Sequence, residues 1–203
     1  DLDLFIGEGY GEIFFFRNTA DPGAISPAFI RQEGDTPFGI PDGGRYANPT
    51  FADIDGDGDL DLFIGYQGGN TRFFRNTAAL GASTPAYTQQ EGDNPFGIPD
   101  VGNYANPALA DTDSDGDLDL FIGEEYGNTL FFRNTGTASV PAYTRQEGDT
   151  PFGIADDLYG NATPAFADID GDGDLDLFIG DYNGKTRFFR NTAATPVAPV
   201  STT

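Results

Sequence analysis

The stretch "FADIDGDGDLDLFIG", residues 51–65, decides how the rest of the chain is read. Two short apolar runs flank a loop in which aspartate takes every second position: Asp53, Asp55, Asp57, Asp59 and Asp61. The runs are rich in Phe, Leu and Ile and are bounded by glycine, which is how strands read. The stretch returns as "LADTDSDGDLDLFIG" at 109–123 and as "FADIDGDGDLDLFIG" at 166–180. A fourth copy, "DLDLFIG" at 1–7, has the second run without the acidic head.

Working outward, three more phrases recur in fixed order. Phe-Phe-Arg-Asn-Thr stands at 15–19, 73–77, 131–135 and 188–192. "PAFIRQEGD" (27–35) is matched by "PAYTQQEGD" (85–93) and "PAYTRQEGD" (141–149). "NPTFADID" (48–55) is matched by "NPALADTD" (106–113) and "TPAFADID" (163–170). Asp3, Asp61, Asp119 and Asp176 are equivalent, spaced 58, 58 and 57 residues apart. No window sustains an apolar 3.6-residue period. Each unit therefore holds four short strands, lettered A to D: A is the "FAD" run, B is "DLDLFIG", C is "FFRNT" and D is "PAYT".

A four-stranded unit repeated along a chain predicts an all-β fold, a β-propeller of four-stranded antiparallel blades. A β-solenoid is the rival, with shorter repeats. The units divide as a partial blade over 1–47, blades over 48–105 and 106–162, and a partial blade over 163–192. The tail 193–203, "AATPVAPVSTT", reads as a linker, an O-glycosylated segment or a donated strand. Fourteen strands make about three and a half blades. Strand B is apolar enough to be buried on both faces, and the paired Phe of strand C point to opposite faces, one toward each neighbouring blade.

Composition narrows the function. Acids outnumber bases 33 to 10, for a formal charge of −23. Nucleic acid and anionic membrane surfaces require basic patches, so both are disfavoured as partners. No apolar run is long enough to insert into a bilayer. Fifteen of the acids lie in 53–61, 111–119 and 168–176, so the charge is localised and points to cations. The absence of Cys excludes disulfides and thiolate sites, and suits a secreted bacterial protein. The absence of His removes the commonest general base. With the repeated aspartates committed to loops, an enzyme is not expected. The chain reads as a mature product or a piece of something longer.

Within "DIDGDGDLD" the carboxylates of Asp53, Asp55 and Asp57 alternate, Gly58 permits the tight turn and Asp61 closes the set. Asp59 lends a backbone carbonyl. Hard oxygen ligands so spaced suit Ca²⁺, which takes about 6–8 oxygens at about 2.3–2.6 Å. Asp111, Asp113, Asp115, Asp117 and Asp119 repeat the pattern, as do Asp168, Asp170, Asp172, Asp174 and Asp176. The site is not an EF-hand, whose position 12 is a bidentate Glu between helices. Here that position is Ile64, Ile122 or Ile179, inside a strand. A metal-free acidic turn and a Mg²⁺ site are the competing readings. Four carboxylates turned inward repel one another, and Mg²⁺ keeps its waters.

These residues, with "FFRNT" after them, resemble the FG-GAP/VCBS repeat, the calcium-loop blade also found in integrin α-subunit propellers. The resemblance runs over essentially the whole chain. It implies that the loop lies in the A–B hairpin, that three complete loops bind Ca²⁺, and that a propeller has about seven blades. Asp1 and Asp3 keep only part of a loop, so a fourth site needs another segment to complete it.

The first function expected is a calcium-stabilised structural or adhesive module of an extracellular or cell-surface protein or filament. Three bound Ca²⁺ would move the formal charge from −23 to about −17. The alternative is a glycan-binding lectin, with Phe38, Phe96 and Phe152 as stacking residues in the long D-to-A connections. Against it stands a packing role, in which Pro-Phe-Gly-Ile plugs the space between blades. Arg17, Arg75, Arg133 and Arg190, at the end of strand C, are expected to bond a carboxylate or carbonyl of a neighbouring strand. Open sheet edges invite self-association, as ring completion by a second copy or a head-to-tail filament, unless a longer array supplies the other blades.

Overall fold

The computed structural model of the chain describes residues 2–192, apart from 33, 35, 36, 80, 81, 83, 138, 147, 149, 150 and 155–159. Asp1 and the tail 193–203 lie outside the described residues. Fourteen strands are present among the described residues, and no α-helix. They form four antiparallel sheets in chain order. The first sheet is β1 (Leu4–Gly7), β2 (Ile13–Asn18) and β3 (Phe29–Arg31). The second is β4 (Asn48–Ala52), β5 (Asp61–Gly65), β6 (Thr71–Asn76) and β7 (Tyr87–Asp93). The third is β8 (Asn106–Ala110), β9 (Asp119–Gly123), β10 (Thr129–Asn134) and β11 (Tyr143–Arg145). The fourth is β12 (Thr163–Ala167), β13 (Asp176–Gly180) and β14 (Thr186–Phe189). Each strand pairs with its sequence neighbour. The order is thus B-C-D, A-B-C-D twice, and A-B-C.

The three A–B ladders share one register. Ala52, Ala110 and Ala167 face Asp61, Asp119 and Asp176. The acidic stretches 53–60, 111–118 and 168–175 are therefore the A–B connections. Strand A of each sheet touches strand A of the next, β4 against β8 and β8 against β12, with β1 against β4. Between these first strands Asn48 Nδ2 donates to Asn106 Oδ1 at 2.6 Å, and Asn106 Nδ2 donates to the Ala162 carbonyl at 2.8 Å.

Alternation of side chains along each strand divides the apolar residues between three cores, one for each pair of consecutive sheets. In β6, Phe74 packs with Ile13, Leu62 and Ile64 toward the first sheet, while Phe73 packs with Phe63, Leu120 and Ile122 toward the third. In β10, Phe132 joins that second core and Phe131 joins the third, with Leu177 and Ile179. Strands β5 and β9 are buried throughout, as their unbroken apolar runs require. Burying each such side chain contributes about 1.5–3 kcal/mol. Among the described residues the first and fourth sheets each pack against one neighbour, and Leu4, Ile6 and Phe188 are exposed.

The glycine that ends strand B has a packing reason. A Cβ on Gly65 would collide with the carbonyl of Ala105, and one on Gly123 with that of Ala162. Consecutive sheets touch backbone to backbone there. Among the described residues no sheet follows Gly180, and its Cβ would meet only the Thr163 Cβ, at 4.0 Å.

Candidate metal centres

Each A–B connection winds around its own first aspartate. In the second sheet Asp53 Oδ1 accepts from the N–H groups of Gly56 (2.8 Å) and Asp57 (3.1 Å), and Oδ2 from Gly58 (3.0 Å). Asp57 Oδ1 accepts from Asp59 N–H at 2.9 Å. The fourth sheet repeats this with Asp168 bonded to Gly171 and Gly173, and Asp172 to Asp174. In the third, Asp111 bonds Gly116 and Asp115 bonds Asp117. The turn needs left-handed backbone at Gly58, Gly116 and Gly173, with φ of 92°, 89° and 95°. Two residues earlier a second left-handed position is taken by Gly56 and Gly171, but by Ser114 in the third sheet, at φ 60°.

This winding gathers three carboxylates at one point. Ligand oxygens of Asp53, Asp55 and Asp57 lie within 4.8 Å of one another, as do those of Asp111, Asp113 and Asp115, and of Asp168, Asp170 and Asp172. At that separation two unit charges repel by about 3 kcal/mol at an effective dielectric near 20. One cation is built in. Arg75, from the end of β6, pairs with Asp55, Arg133 pairs with Asp113, and Arg190 pairs with Asp170 at 2.9 Å. Three of the four strand-C arginines thus bond a carboxylate, but that of the middle aspartate in the loop of their own sheet and not one on a neighbouring strand.

One guanidinium does not satisfy three carboxylates. Asp55 Oδ1 and Asp111 Oδ1 are buried without a hydrogen-bond partner. A buried, unpaired carboxylate oxygen costs at least the 1–3 kcal/mol or so of an unmade hydrogen bond. A hard divalent cation bound by the triad would satisfy it, and the donor set, all oxygen, fits such an ion.

Asp61, Asp119 and Asp176 stand outside the triads and bond backbone. Asp61 Oδ1 accepts from Asn76 N–H at 2.7 Å, and Oδ2 from Ile54 N–H at 3.2 Å. Asp119 accepts from Asn134 N–H and from the Thr112 hydroxyl. Asp176 accepts from the N–H groups of Asn191 and Ile169. Asp3 keeps this bond in the first sheet, accepting from Asn18 N–H at 2.8 Å. These carboxylates fasten strand B to the end of strand C, a role that the spacing of acids does not reveal. Burial pushes the Asp61 carboxyl up to about 6, with the nearby Asp55 charge adding to it; the two backbone bonds and Arg75 oppose the rise. Burial raises Asp119 likewise.

Phe38, Phe96 and Phe152 each lie in a 3-10 turn, Pro37–Gly39, Pro95–Gly97 and Pro151–Gly153, with φ of 55°, 56° and 55°. Phe38 sits 4.7 Å from Phe15 and Phe96 sits 4.9 Å from Phe73, ring centre to ring centre, so both plug the space between sheets. Phe152 reaches Phe131 at 4.8 Å but is 67% exposed.

The FG-GAP-like repeat model matches residues 1–64, 53–122 and 111–179, running from one aspartate loop into the next. The chain belongs to the FG-GAP-like repeat family. Repeats of this family are typically structural modules of extracellular proteins. Each match beyond the first begins at the leading aspartate of a loop, Asp53 or Asp111, so the family unit includes the triads described here. No curated protein matches the chain.

Proposed function

We propose that the chain is an arc of β-propeller blades stapled by calcium, serving as a non-catalytic structural or adhesive module outside the cell. The calcium reading rests on one observation, the buried and unpartnered carboxylate oxygens Asp55 Oδ1 and Asp111 Oδ1 inside their aspartate triads. In this reading the triads supply three carboxylates each, and Asp59, Asp117 and Asp174 supply backbone carbonyls. Asp61, Asp119 and Asp176 complete each site, since a carboxylate oxygen that accepts one N–H retains a second lone pair. Calcium suits these sites better than magnesium, because a flexible loop tolerates its irregular shell. A bound ion would offset the repulsion between the three carboxylates that each loop gathers.

The propeller reading is supported by four sheets packed in chain order with their first strands in contact. The exposed apolar residues Leu4, Ile6 and Phe188 suit packing against further blades, supplied by a longer array or by other copies in a ring or a filament.

The deciding experiment compares thermal unfolding in millimolar calcium and in excess EDTA. A site held at a hundred times its Kd contributes about 2.7 kcal/mol. Three such sites lower the melting temperature on chelation by about 15 °C or more. Magnesium does not restore it. An unchanged melt removes the calcium reading.

A further inference from the structure

Aspartate followed by glycine is the pair most open to spontaneous isomerisation, because no side chain shields the next nitrogen. Six such bonds occur in the chain, at 42–43, 55–56, 57–58, 115–116, 170–171 and 172–173. All but the first lie in the acidic loops, and there the glycine N–H is held by the leading aspartate of its loop. Gly56 and Gly58 donate to Asp53 at 2.8 and 3.0 Å, Gly116 to Asp111 at 3.1 Å, and Gly171 and Gly173 to Asp168 at 2.7 and 3.1 Å.

The remaining bond, Asp42–Gly43, lies in the D-to-A connection ahead of β4. Asp42 is exposed, and the Gly43 N–H makes no hydrogen bond among the described residues. The Asp42 side chain is already folded back over this peptide, its Oδ1 accepting from Gly44 N–H at 3.2 Å. The equivalent position one sheet on gives a comparison. Asp100 Oδ1 accepts from Gly102 N–H at 2.8 Å, in the same turn. There Val101 stands in place of Gly43. Its N–H donates to the Gly69 carbonyl at 3.0 Å, and its branched Cβ crowds the approach of the carboxyl. The same turn thus occurs twice, once guarded and once open.

We infer that Asp42 is the Asp–Gly position at which this chain isomerises spontaneously, and that Asp53, Asp111 and Asp168 guard the Asp–Gly bonds of the acidic loops by holding their glycine nitrogens. In the reaction the Gly43 nitrogen attacks Asp42 Cγ. The new C–N bond closes a five-membered succinimide, and the carboxyl hydroxyl leaves with the amide proton as water. Water then opens the ring at either carbonyl. One opening restores aspartate; the other leaves isoaspartate, in which the main chain runs through Cβ and Cγ. Nothing is oxidised or reduced, and the mass returns to its starting value. In the loops the glycine nitrogen keeps its proton on a carboxylate, so ring closure there first requires the loop to open. At Asp42 no such opening is needed. The Gly44 carbonyl lies where a Cβ on Gly11 would be, so a main chain lengthened by one carbon at 42 would displace this contact between the first two sheets.

The test ages the full chain at neutral pH, in calcium and in EDTA, and digests it with trypsin. Isoaspartate is located by separating the isomeric peptides and fragmenting them; Asp42 falls in the tryptic peptide 32–45. Isoaspartate should accumulate at Asp42 about tenfold faster than at Asp55, Asp57, Asp115, Asp170 or Asp172, the factor that one charge-assisted hydrogen bond supplies. In urea the Asp–Gly bonds should converge while Asp100 stays slow. The single Asn–Gly pair, 183–184, does not interfere, because deamidation changes the mass. Equal rates at Asp42 and in the loops of the native chain overturn the proposal. So does a preference for Asp42 that survives unfolding, which assigns it to neighbouring sequence. Protection of the loops that vanishes in EDTA assigns it to a bound ion and overturns the role given to Asp53, Asp111 and Asp168.

Discussion

Arg75, the last arginine of β6, reaches back across twenty positions to pair with Asp55, the middle aspartate of its sheet's acidic loop. The pair uses Asp55 Oδ2 and leaves Oδ1 buried without a partner. One side chain thus holds a built-in cation on one oxygen and keeps the other buried without a hydrogen-bond partner. Arg75 therefore neutralises part of the triad, and in the calcium reading the ion would neutralise the rest. Arg75→Gln is expected to destabilise the chain by about 1 kcal/mol, given that the guanidinium is about a third exposed. The loss should be larger in EDTA than in calcium, where the ion carries more of the neutralisation. Denaturant melts of both proteins in both buffers check this.

The stoichiometry of binding follows from the loops. Calorimetric titration with calcium is expected to fill three sites. Asp113→Asn removes a carboxylate from the third-sheet triad alone and should reduce the number of tight sites to two. The same substitution at Asp3 should leave three, because Asp3 bonds Asn18 N–H and belongs to no triad among the described residues.

Ser114 occupies a left-handed position that the other two loops give to glycine. Left-handed backbone costs a non-glycine residue about 1–2 kcal/mol. Ser114→Gly should therefore stabilise the chain by about 1 kcal/mol, part of the relief being offset by the greater freedom of glycine when unfolded. The gain is read as a higher melting temperature with calcium and without it.

Much of this arrangement is legible in the sequence, for a physical reason. Every B strand ends at Gly, and β2, β6 and β10 end at Asn, so "DLDLFIG" and "FFRNT" mark their own boundaries, and the alternation in β6 assigns Phe73 and Phe74 to opposite cores. The aspartate triads are equally plain, because alternate carboxylates before a glycine can turn around one point. The role of Asp61 is less visible. Its partners are backbone N–H groups, one of them fifteen residues away, and main-chain donors leave no mark on composition. The close approach at Gly65 did leave a mark, since the same glycine ends all four copies of the run. Repetition alone does not say whether a glycine serves a turn or a contact.

That glycine yields a paired test. Gly65→Ala drives a methyl group into the Ala105 carbonyl, and backbone yields less easily than a side chain. Overpacking of this kind costs about 1–3 kcal/mol. Gly180→Ala places the same methyl 4.0 Å from Thr163 Cβ, an ordinary contact. It should be near neutral. The difference between the two variants in chemical denaturation isolates the sheet-to-sheet contact from any intrinsic strand preference, because both residues end the same strand of their units.

The buried carboxylates give stability a pH dependence whose sign depends on calcium. In the ion-free chain the Asp61 carboxyl is raised from 3.8 to about 6 by burial, and Asp119 is raised too. A folded-state value above the unfolded one means that the folded chain holds the proton more tightly. The contribution to stability is full below the unfolded value and is lost as pH rises through about 6. In EDTA, the melting temperature should therefore rise as pH is lowered from 7 toward 5. With saturating calcium the order should reverse, because the ion binds the ionised carboxylates and is released as they gain protons. Melts at pH 5, 6 and 7 in the two buffers check this. Parallel trends in EDTA and in calcium would separate the buried aspartates from the metal and leave them as hairpin staples alone.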